Sequence, residues 1–259
     1  MAIANPIMQS TWLPATVIEN QQWTPRLYSL RLQAELLPFK AGQFVRLQLP
    51  LPVDGLPQFI AKSYSLLNAP DDPIAEVFFN IVPNGKLSTA LAQLQLGDRL
   101  EISQPANGFF VLDEVPQAAQ LWMIATGTGL GAYLSILKTA QAWQRFEQIV
   151  LVHGVPLVAE LAYQDLIANF LEQHPQQFQY VSCVTRENNP NGLNGRVTTN
   201  LQSGVLEQVT GLNINPQDSQ VMLCGNHAML DEMKTLLAQR GLQKHLRHKP
   251  GQITTEQYF

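Results

Sequence analysis

Residues 125–131 read Ala-Thr-Gly-Thr-Gly-Leu-Gly, a composition suited to binding an anion. The run follows the apolar stretch 121–124 and precedes a helical stretch. Glycines at a strand-to-helix turn let the backbone approach a pyrophosphate, whose charge is stabilised by unbonded amides and the positive end of the helix. The spacing departs from the GxGxxG dinucleotide pattern, so an ordinary tight turn is the alternative interpretation.

A second pair of segments could also hold a phosphate. Lys62-Ser63-Tyr64-Ser65 is followed about twenty residues later by Asn84-Gly85-Lys86-Leu87-Ser88. On the predicted strand Lys62 and Tyr64 share one face, and Ser65 lies on the other. The later segment is typical of a helix N-terminus, where amides and a nearby cation suit an anion. A half-exposed strand and a capped surface helix are the structural alternatives.

The elements that must position these segments fall into two groups. The first hundred residues hold short strands separated by Pro and Gly, with one helix over about 86–94, a pattern typical of an antiparallel barrel or sandwich. From residue 121 apolar strands alternate with helices, which predicts a parallel sheet with helices on both faces. We expect two domains, 1–112 and 113–259. Predicted strands are 15–19, 28–32, 43–49, 63–67, 76–82, 99–103, 121–125, 149–153, 178–184 and 221–225, and further helices lie at about 129–143, 161–171 and 229–238.

Composition excludes several classes of protein. The 259 residues are 46% hydrophobic, enough to form a core, and the net charge of -4 does not favour nucleic-acid binding. No apolar run approaches the roughly 20 residues that cross a bilayer. Residues 1–10 lack the features of an export signal, so we expect a cytoplasmic protein. Two cysteines cannot ligate a four-thiolate iron-sulfur cluster, and no spacing fits zinc, so redox chemistry would need an organic cofactor.

In their order along the chain, these motifs resemble the ferredoxin-NADP reductase family. The resemblance is closest to the bacterial ferredoxin (flavodoxin)-NADP reductases and covers essentially the whole length. Its motifs are [R/K]-x-Y-S at 62–65, G-x-L-S at 85–88, T-G-T-G at 126–129 and C-G at 224–225. Supporting runs are 41–44, 108–112, 223–226, 244–247, 250–251 and 256–259.

The resemblance implies an N-terminal antiparallel β-barrel that binds FAD, followed by a Rossmann-like parallel-sheet domain that binds NADP(H). Tyr64 would stack on the isoalloxazine ring, and Ser65 would hydrogen-bond flavin N5. Lys62 stands where the family usually has an arginine facing the FAD pyrophosphate, which keeps the charge but loses the bidentate fork. The other implied FAD contacts are Ser63, Phe79, Asn80, Ile81, Gly85, Lys86, Leu87, Ser88, Thr128, Tyr258 and Phe259, the last of them packed on the adenine.

For NADP(H) the resemblance implies that Thr126 and Gly127 flank the pyrophosphate and nicotinamide. Arg186 and Arg196 match the pair that reads the 2′-phosphate. Pro156 stands where many relatives have another arginine, which predicts some tolerance of NADH. Cys224, Gly225 and Asn226 would lie beneath the nicotinamide, and the candidate catalytic residues are Ser65, which orients N5, Cys224, which positions the nicotinamide, and Glu256, which hydrogen-bonds near the ring or relays a proton.

The implied reaction is hydride exchange between NADP(H) and flavin N5, followed by single-electron exchange with a ferredoxin or flavodoxin. A basic patch that includes Lys244, Arg247 and Lys249 would suit such an acidic partner, and a solvated helix end is its structural alternative. We expect a monomer that holds no metal. Two other functions remain open: a reductase component that serves an oxygenase and tolerates NADH, and a non-catalytic dinucleotide-binding or regulatory module.

Overall fold

Two six-stranded sheets organise residues 11–257, the part of the chain that the computed structural model describes. Residues 1–10, considered above for an export signal, lie outside the described residues. The predicted FAD contacts Tyr258 and Phe259 lie outside them as well.

The first sheet is antiparallel, with strand order β4-β3-β6-β1-β2-β5. A bridge joins Leu66, the residue after the edge strand β4, to Val77 of the other edge strand, β5, and so curls the sheet into the predicted barrel. Its core is formed by inward-facing aliphatic side chains such as Leu30, Leu47 and Ile102. The elements are β1 Thr11–Thr24, β2 Leu27–Ala34, β3 Phe44–Val53, β4 Leu56–Ser65, β5 Ile74–Asn80, α1 Lys86–Gln93 and β6 Arg99–Gln104.

The prediction of a strand over 63–67 was wrong in its bounds, because β4 runs from Leu56 to Ser65. It pairs along its whole length with β3 through a tight turn at Asp54 and Gly55, both with positive φ. Most of 56–63 is solvent-exposed, so no alternation of polar and apolar residues marks this part as a strand. The hairpin brings Lys62, Ser63, Tyr64 and Ser65 to the end of β4.

The second sheet is parallel, with order β10-β9-β8-β7-β11-β12. Strands β7, β8, β9 and β11 are largely buried because helices cover both faces. The strand order reverses between β7 and β11, and in open α/β sheets ligands bind at the carboxyl ends of such strands. The elements are β7 Gln120–Thr126, α2 Leu130–Leu137, α3 Ala140–Arg145, β8 Gln148–Val155, α4 Gln164–Gln173, β9 Phe178–Val184, β10 Leu193–Asn194, α5 Val197–Gln202, α6 Val205–Thr210, β11 Ser219–Gly225, α7 His227–Gln239 and β12 Ile253–Gln257.

Two helix predictions in this half were wrong. The predicted helix over 129–143 is divided into α2 and α3, because Thr139 is extended and its hydroxyl donates to the Ile136 carbonyl. The predicted helix over 161–171 begins only at Gln164, because Tyr163 takes a left-handed conformation with φ +59°. The sequence analysis did not predict β10, α5, α6 or β12.

One hydrophobic core joins the two sheets. Leu67 and Phe78 of the barrel pack in the same cluster as Leu130 and Tyr133 of α2. The Tyr163 hydroxyl donates to Glu76 Oε1 at 2.8 Å, and its ring meets Phe78 edge-on. The barrel and the carboxyl ends of the parallel strands are therefore held face to face.

Candidate active site

The three candidate catalytic residues meet where the two sheets face each other. Cys224 is buried on β11 and lies in register with Glu256 on the neighbouring strand β12. The Ser65 hydroxyl, at the end of β4, donates to Glu256 Oε2 at 3.4 Å across a separation of 191 residues. The long-range pairing of β12 with β11 thus completes this cluster.

Glu256 titrates in an unusual range. Burial raises the pKa of its carboxyl from 4.5 to about 7, and the hydrogen bond from Ser65 acts in the opposite direction. Below pH 7 the group is mostly protonated, and above it mostly ionised. A carboxyl with this pKa can hold or release a proton close to neutral pH.

The glycine-rich turn at 126–129 touches this cluster. Gly127 has a left-handed φ of +54°, which few residues other than glycine adopt without strain. Gly129 is required for close approach, since a Cβ there would lie 2.6 Å from the Cys224 carbonyl oxygen. Both glycines therefore serve to bring the turn against the end of β11.

A pair of hydrogen bonds ties β7 to β11 at the carboxyl edge of the sheet. Thr126 Oγ1 accepts from the backbone N–H and the side-chain Nδ2 of Asn226, each at 3.2 Å. Asn226 Oδ1 in turn accepts from Met229 N at 2.9 Å and caps α7. Gly225 lies inside this arrangement, and a Cβ there would be 2.0 Å from Thr126 Oγ1.

The predicted FAD contacts line the barrel side of the same region. Lys62 and Ser63 are exposed on β4, and Tyr64 is half-buried with its ring edge-on to Phe79 at 5.9 Å. Asn80 ends β5, and its Nδ2 would be 3.7 Å from a Cβ placed on Gly127. The end of β5, followed by Ile81, therefore lies against the glycine-rich turn.

Helix α1 presents unbonded amides at its N-terminus. Its first intrahelical bond runs from Thr89 N to the Gly85 carbonyl, and no side chain of the described residues caps the helix. The N–H groups of Lys86, Leu87 and Ser88 are thus available to an acceptor. A cleft of about 400 Å³ opens beside them.

Arg186 and Arg196 are exposed at the same edge of the parallel sheet. They follow the carboxyl ends of β9 and β10, which pair in parallel. The backbone N–H of Arg186 donates to the Pro156 carbonyl at 2.9 Å, so Pro156 lies directly beside Arg186. Glu187, which the sequence analysis missed, accepts a hydrogen bond from Val158 N close to this position. A carboxylate next to a predicted phosphate-binding arginine could have drawn attention to it.

The predicted basic patch is exposed, but one of its charges is compensated. Arg247 Nε and Nη2 donate to the two carboxylate oxygens of Glu114 at 2.9 and 2.6 Å. The guanidinium also lies 4.1 Å from the ring centroid of the exposed Phe109. Lys244 and Lys249 are exposed near this ion pair. A groove of about 500 Å³, with Glu256 in its wall, runs beside Lys244 and Arg247.

Over residues 11–257 no helix is long and apolar enough to span a membrane. In the same range, no three His, Cys, Asp or Glu side chains are grouped so that they could hold a metal ion.

Comparison with known proteins agrees with this geometry. Residues 15–110 match the oxidoreductase FAD-binding domain model, and residues 123–235 match the oxidoreductase NAD-binding domain model. The chain is 42% identical to the flavodoxin/ferredoxin-NADP reductase of Escherichia coli and 41% identical to that of Buchnera aphidicola from Schizaphis graminum, each over 96% of this chain and 99% of the relative. A crystal structure of a ferredoxin NADP+ reductase from Neisseria gonorrhoeae with bound FAD and NADP superposes with a TM-score of 0.88 at 30% identity, over 97% of this chain and all of that one.

An FAD-binding barrel joined to an NAD-binding parallel sheet defines a two-domain flavoprotein oxidoreductase. Within that class, the chain belongs to the flavodoxin/ferredoxin-NADP reductase family.

The residues present fit both cofactors. Tyr64 offers an aromatic face to a flavin ring. The unbonded amides of α1 can bind a diphosphate, and Lys62 and Lys86 can balance its charge. On the other side, the turn at 126–129 follows the carboxyl end of β7 beside β11, the place where the strand order reverses and where open α/β sheets bind ligands. The site therefore has separate elements for a flavin dinucleotide and a nicotinamide dinucleotide.

Proposed function

We propose that the chain is an FAD-dependent reductase that exchanges hydride with NADP(H) and single electrons with a ferredoxin or flavodoxin. The observation that carries this function is the convergence of Ser65, Cys224 and Glu256 beside the glycine-rich turn. A non-catalytic dinucleotide-binding module would have no need of this cluster.

Bound FAD supplies the conversion between a two-electron hydride and single electrons. The residues of the chain supply alignment. Tyr64 offers a ring face to the flavin, Ser65 orients a hydrogen bond towards N5, and Cys224 supports the nicotinamide. Glu256, with a pKa of about 7, holds or releases a proton beside Ser65. Lys62 and the amides of Lys86, Leu87 and Ser88 balance the charge of the FAD pyrophosphate.

The function is tested by the visible spectrum of the purified protein under anaerobic conditions. We expect a flavin band that bleaches when NADPH is added and recovers when ferricyanide is added. Absence of bound flavin, even after FAD is supplied, would contradict the reductase function and favour the binding module.

For coenzyme choice, we propose that Arg186 and Arg196 hold the 2′-phosphate of NADP(H). Their exposure at one edge of the sheet supports this assignment. Pro156 has neither a charge nor a backbone N–H, so it offers no third donor to that phosphate. The nearby Glu187 carries a negative charge and offers none either. We therefore propose that NADPH is preferred and that NADH is tolerated.

Replacing Arg186 with alanine is expected to raise the KM for NADPH at least tenfold, since about 1.4 kcal/mol of charge-assisted binding is lost. The KM for NADH is expected to change little, because NADH lacks the 2′-phosphate. Steady-state kinetics with both coenzymes measure this, with Arg99→Ala on β6 as an exposed-arginine control. Equal losses for the two coenzymes would show that Arg186 does not read the phosphate.

As the partner we propose an acidic ferredoxin or flavodoxin that docks beside the groove at Lys244, Arg247 and Lys249. Arg247 is already ion-paired with Glu114, so the two lysines carry most of the uncompensated charge of this patch.

We further propose that the protein acts as a monomer. The boundary between domains 1–112 and 113–259 stays a prediction.

The double substitution Lys244→Glu and Lys249→Glu is expected to lower kcat/KM for an acidic flavodoxin about tenfold at low salt, because electrostatic steering is lost. The difference in kcat/KM between the variant and the wild type is expected to become smaller at high ionic strength. Reduction of ferricyanide by NADPH is the internal control and is expected to stay unchanged. A tenfold loss that is independent of salt would argue against docking through these lysines.

A further inference from the structure

A buried imidazole lies beneath the glycine-rich turn. His153, near the carboxyl end of β8, is 0% exposed and lies in register with Ala125 on β7 and Ser182 on β9. Its Nε2 is 3.0 Å from the Gly127 carbonyl oxygen. The sequence analysis gave this residue no role.

The partner of the ring fixes its tautomer. A carbonyl oxygen can only accept, so Nε2 must carry the hydrogen. Nδ1 has no hydrogen-bond partner among the described residues, which leaves it as an unprotonated nitrogen. Burial lowers the pKa of His153 to about 4, and the bond to Gly127 opposes this shift. His153 is therefore a neutral ring with one donor, directed at the turn.

The orientation of the Gly127 carbonyl depends on the hydrogen bonds that it accepts. Gly127 has a left-handed φ, and glycine restrains its own peptide groups less than any other residue. Its carbonyl also accepts from Leu130 N at the start of α2. On the preceding residue, the Thr126 hydroxyl is held by Asn226 from the β11 side. The bond from His153 thus fixes the turn from the β8 side.

We propose that His153 is a positioning residue for NADP(H), which holds the Gly127 carbonyl so that the amides after it stay directed at the coenzyme. This inference rests on the proposed function, because it assigns the coenzyme to the turn at 126–129. The bond from His153 to the Gly127 carbonyl is new, because His153 is not among the coenzyme contacts that the family resemblance implied.

Three substitutions separate the hydrogen bond from the volume of the ring. In His153→Gln the side-chain amide reaches about as far as Nε2, whereas in His153→Asn it reaches only the position of Nδ1. His153→Leu fills the space without a donor. We expect the Kd of NADP+, measured by calorimetry on the FAD-loaded protein, and the KM for NADPH to rise about tenfold in the Asn and Leu variants. In the Gln variant both are expected to stay within about threefold of the wild type.

Val152→Ala is the matched control, because Val152 is the buried neighbour on β8 that packs in the cluster on the other face of the sheet. It is expected to lower Tm and leave the Kd of NADP+ unchanged. FAD content and the flavin potential are expected to be unchanged in all variants. If the Leu variant fails to fold, the comparison of Gln with Asn decides, because both are polar amides in the same pocket.

An independent readout is the ¹⁵N NMR spectrum of the histidine ring, for which we expect the neutral Nε2–H form at pH 7. A Nδ1–H form, or equal NADP+ affinity in the Gln and Asn variants, would overturn the inference. If the wild type bound no FAD or were not reduced by NADPH, the proposed function would fail instead, and the ring tautomer would still report the bond to Gly127.

Discussion

Replacing Gly225 with alanine is expected to reduce kcat for NADPH oxidation about 100-fold, because displacing reacting groups by about 1 Å can cost a factor of this size. The added Cβ would lie 2.0 Å from Thr126 Oγ1 and 3.0 Å from Met229 Cε. The φ of Gly225, +153°, is also one that L residues rarely adopt. The backbone N of Thr126 lies 3.1 Å from that Cβ, so we expect relief of the clash to shift the end of β7 relative to β11, where we place the nicotinamide.

FAD content in Gly225→Ala is expected to equal that of the wild type, since the proposed FAD contacts lie mainly on the barrel. Stopped-flow measurement of flavin reduction by NADPH tests the rate. Gly204→Ala is a control for backbone strain, because Gly204 has a φ of +79° and a Cβ placed there would have no described atom within 4 Å. If the Gly225→Ala enzyme reduced its flavin at the wild-type rate, the result would show that the nicotinamide does not bind at the ends of β7 and β11.

Replacing Tyr64 with alanine is expected to weaken FAD binding about 100-fold, since stacking of a heteroaromatic ring on an aromatic side chain contributes about 1–3 kcal/mol. Tyr64 is half-buried at the end of β4, close to Ser65, and meets Phe79 edge-on. Its ring face is thus set by the barrel before any ligand binds. Fluorescence titration of the flavin-free protein with FAD measures the Kd.

Two further variants interpret the result for Tyr64. Tyr64→Phe keeps the ring and is expected to bind FAD within a few-fold of the wild type. Tyr28→Ala also removes an aromatic neighbour of Phe79, one that stacks on it at 6.0 Å, but Tyr28 is not a predicted flavin contact. Equal losses for Tyr28→Ala and Tyr64→Ala would mean that support of Phe79, and not stacking on the flavin, explains the effect.

Much of the architecture is predictable from local patterns. Continuous apolar runs such as 121–125 coincide with buried parallel strands. The change near residue 121 from short strands separated by turns to alternating strands and helices separates the two sheets. Exposed or short elements were harder to predict. The outer half of β4 carries no alternation, and the two-residue strand β10 is too short to give a pattern.

The motifs named residues that converge, but not how they converge. The cluster of Ser65, Cys224 and Glu256 depends on the pairing of β12 with β11, which no periodicity indicates. From the sequence, His153 is only the last residue of a predicted apolar strand. Its role depends on the Gly127 carbonyl, a partner 26 residues away, so no local pattern indicates it. The pairing of Arg247 with Glu114 spans 133 residues and likewise has no local signal.

The shared core between the barrel and α2 limits how such a protein can be recombined. A Cβ on Gly131 of α2 would lie 3.7 Å from Phe78 and 3.8 Å from Leu67, so this helix packs closely against the barrel. A chimaera that takes its coenzyme half from another reductase must therefore match the surface of α2 and Tyr163 as well as the ligand contacts. Exchange of the halves is thus governed by their common interior, and coenzyme choice is more readily altered at the exposed edge near Arg186.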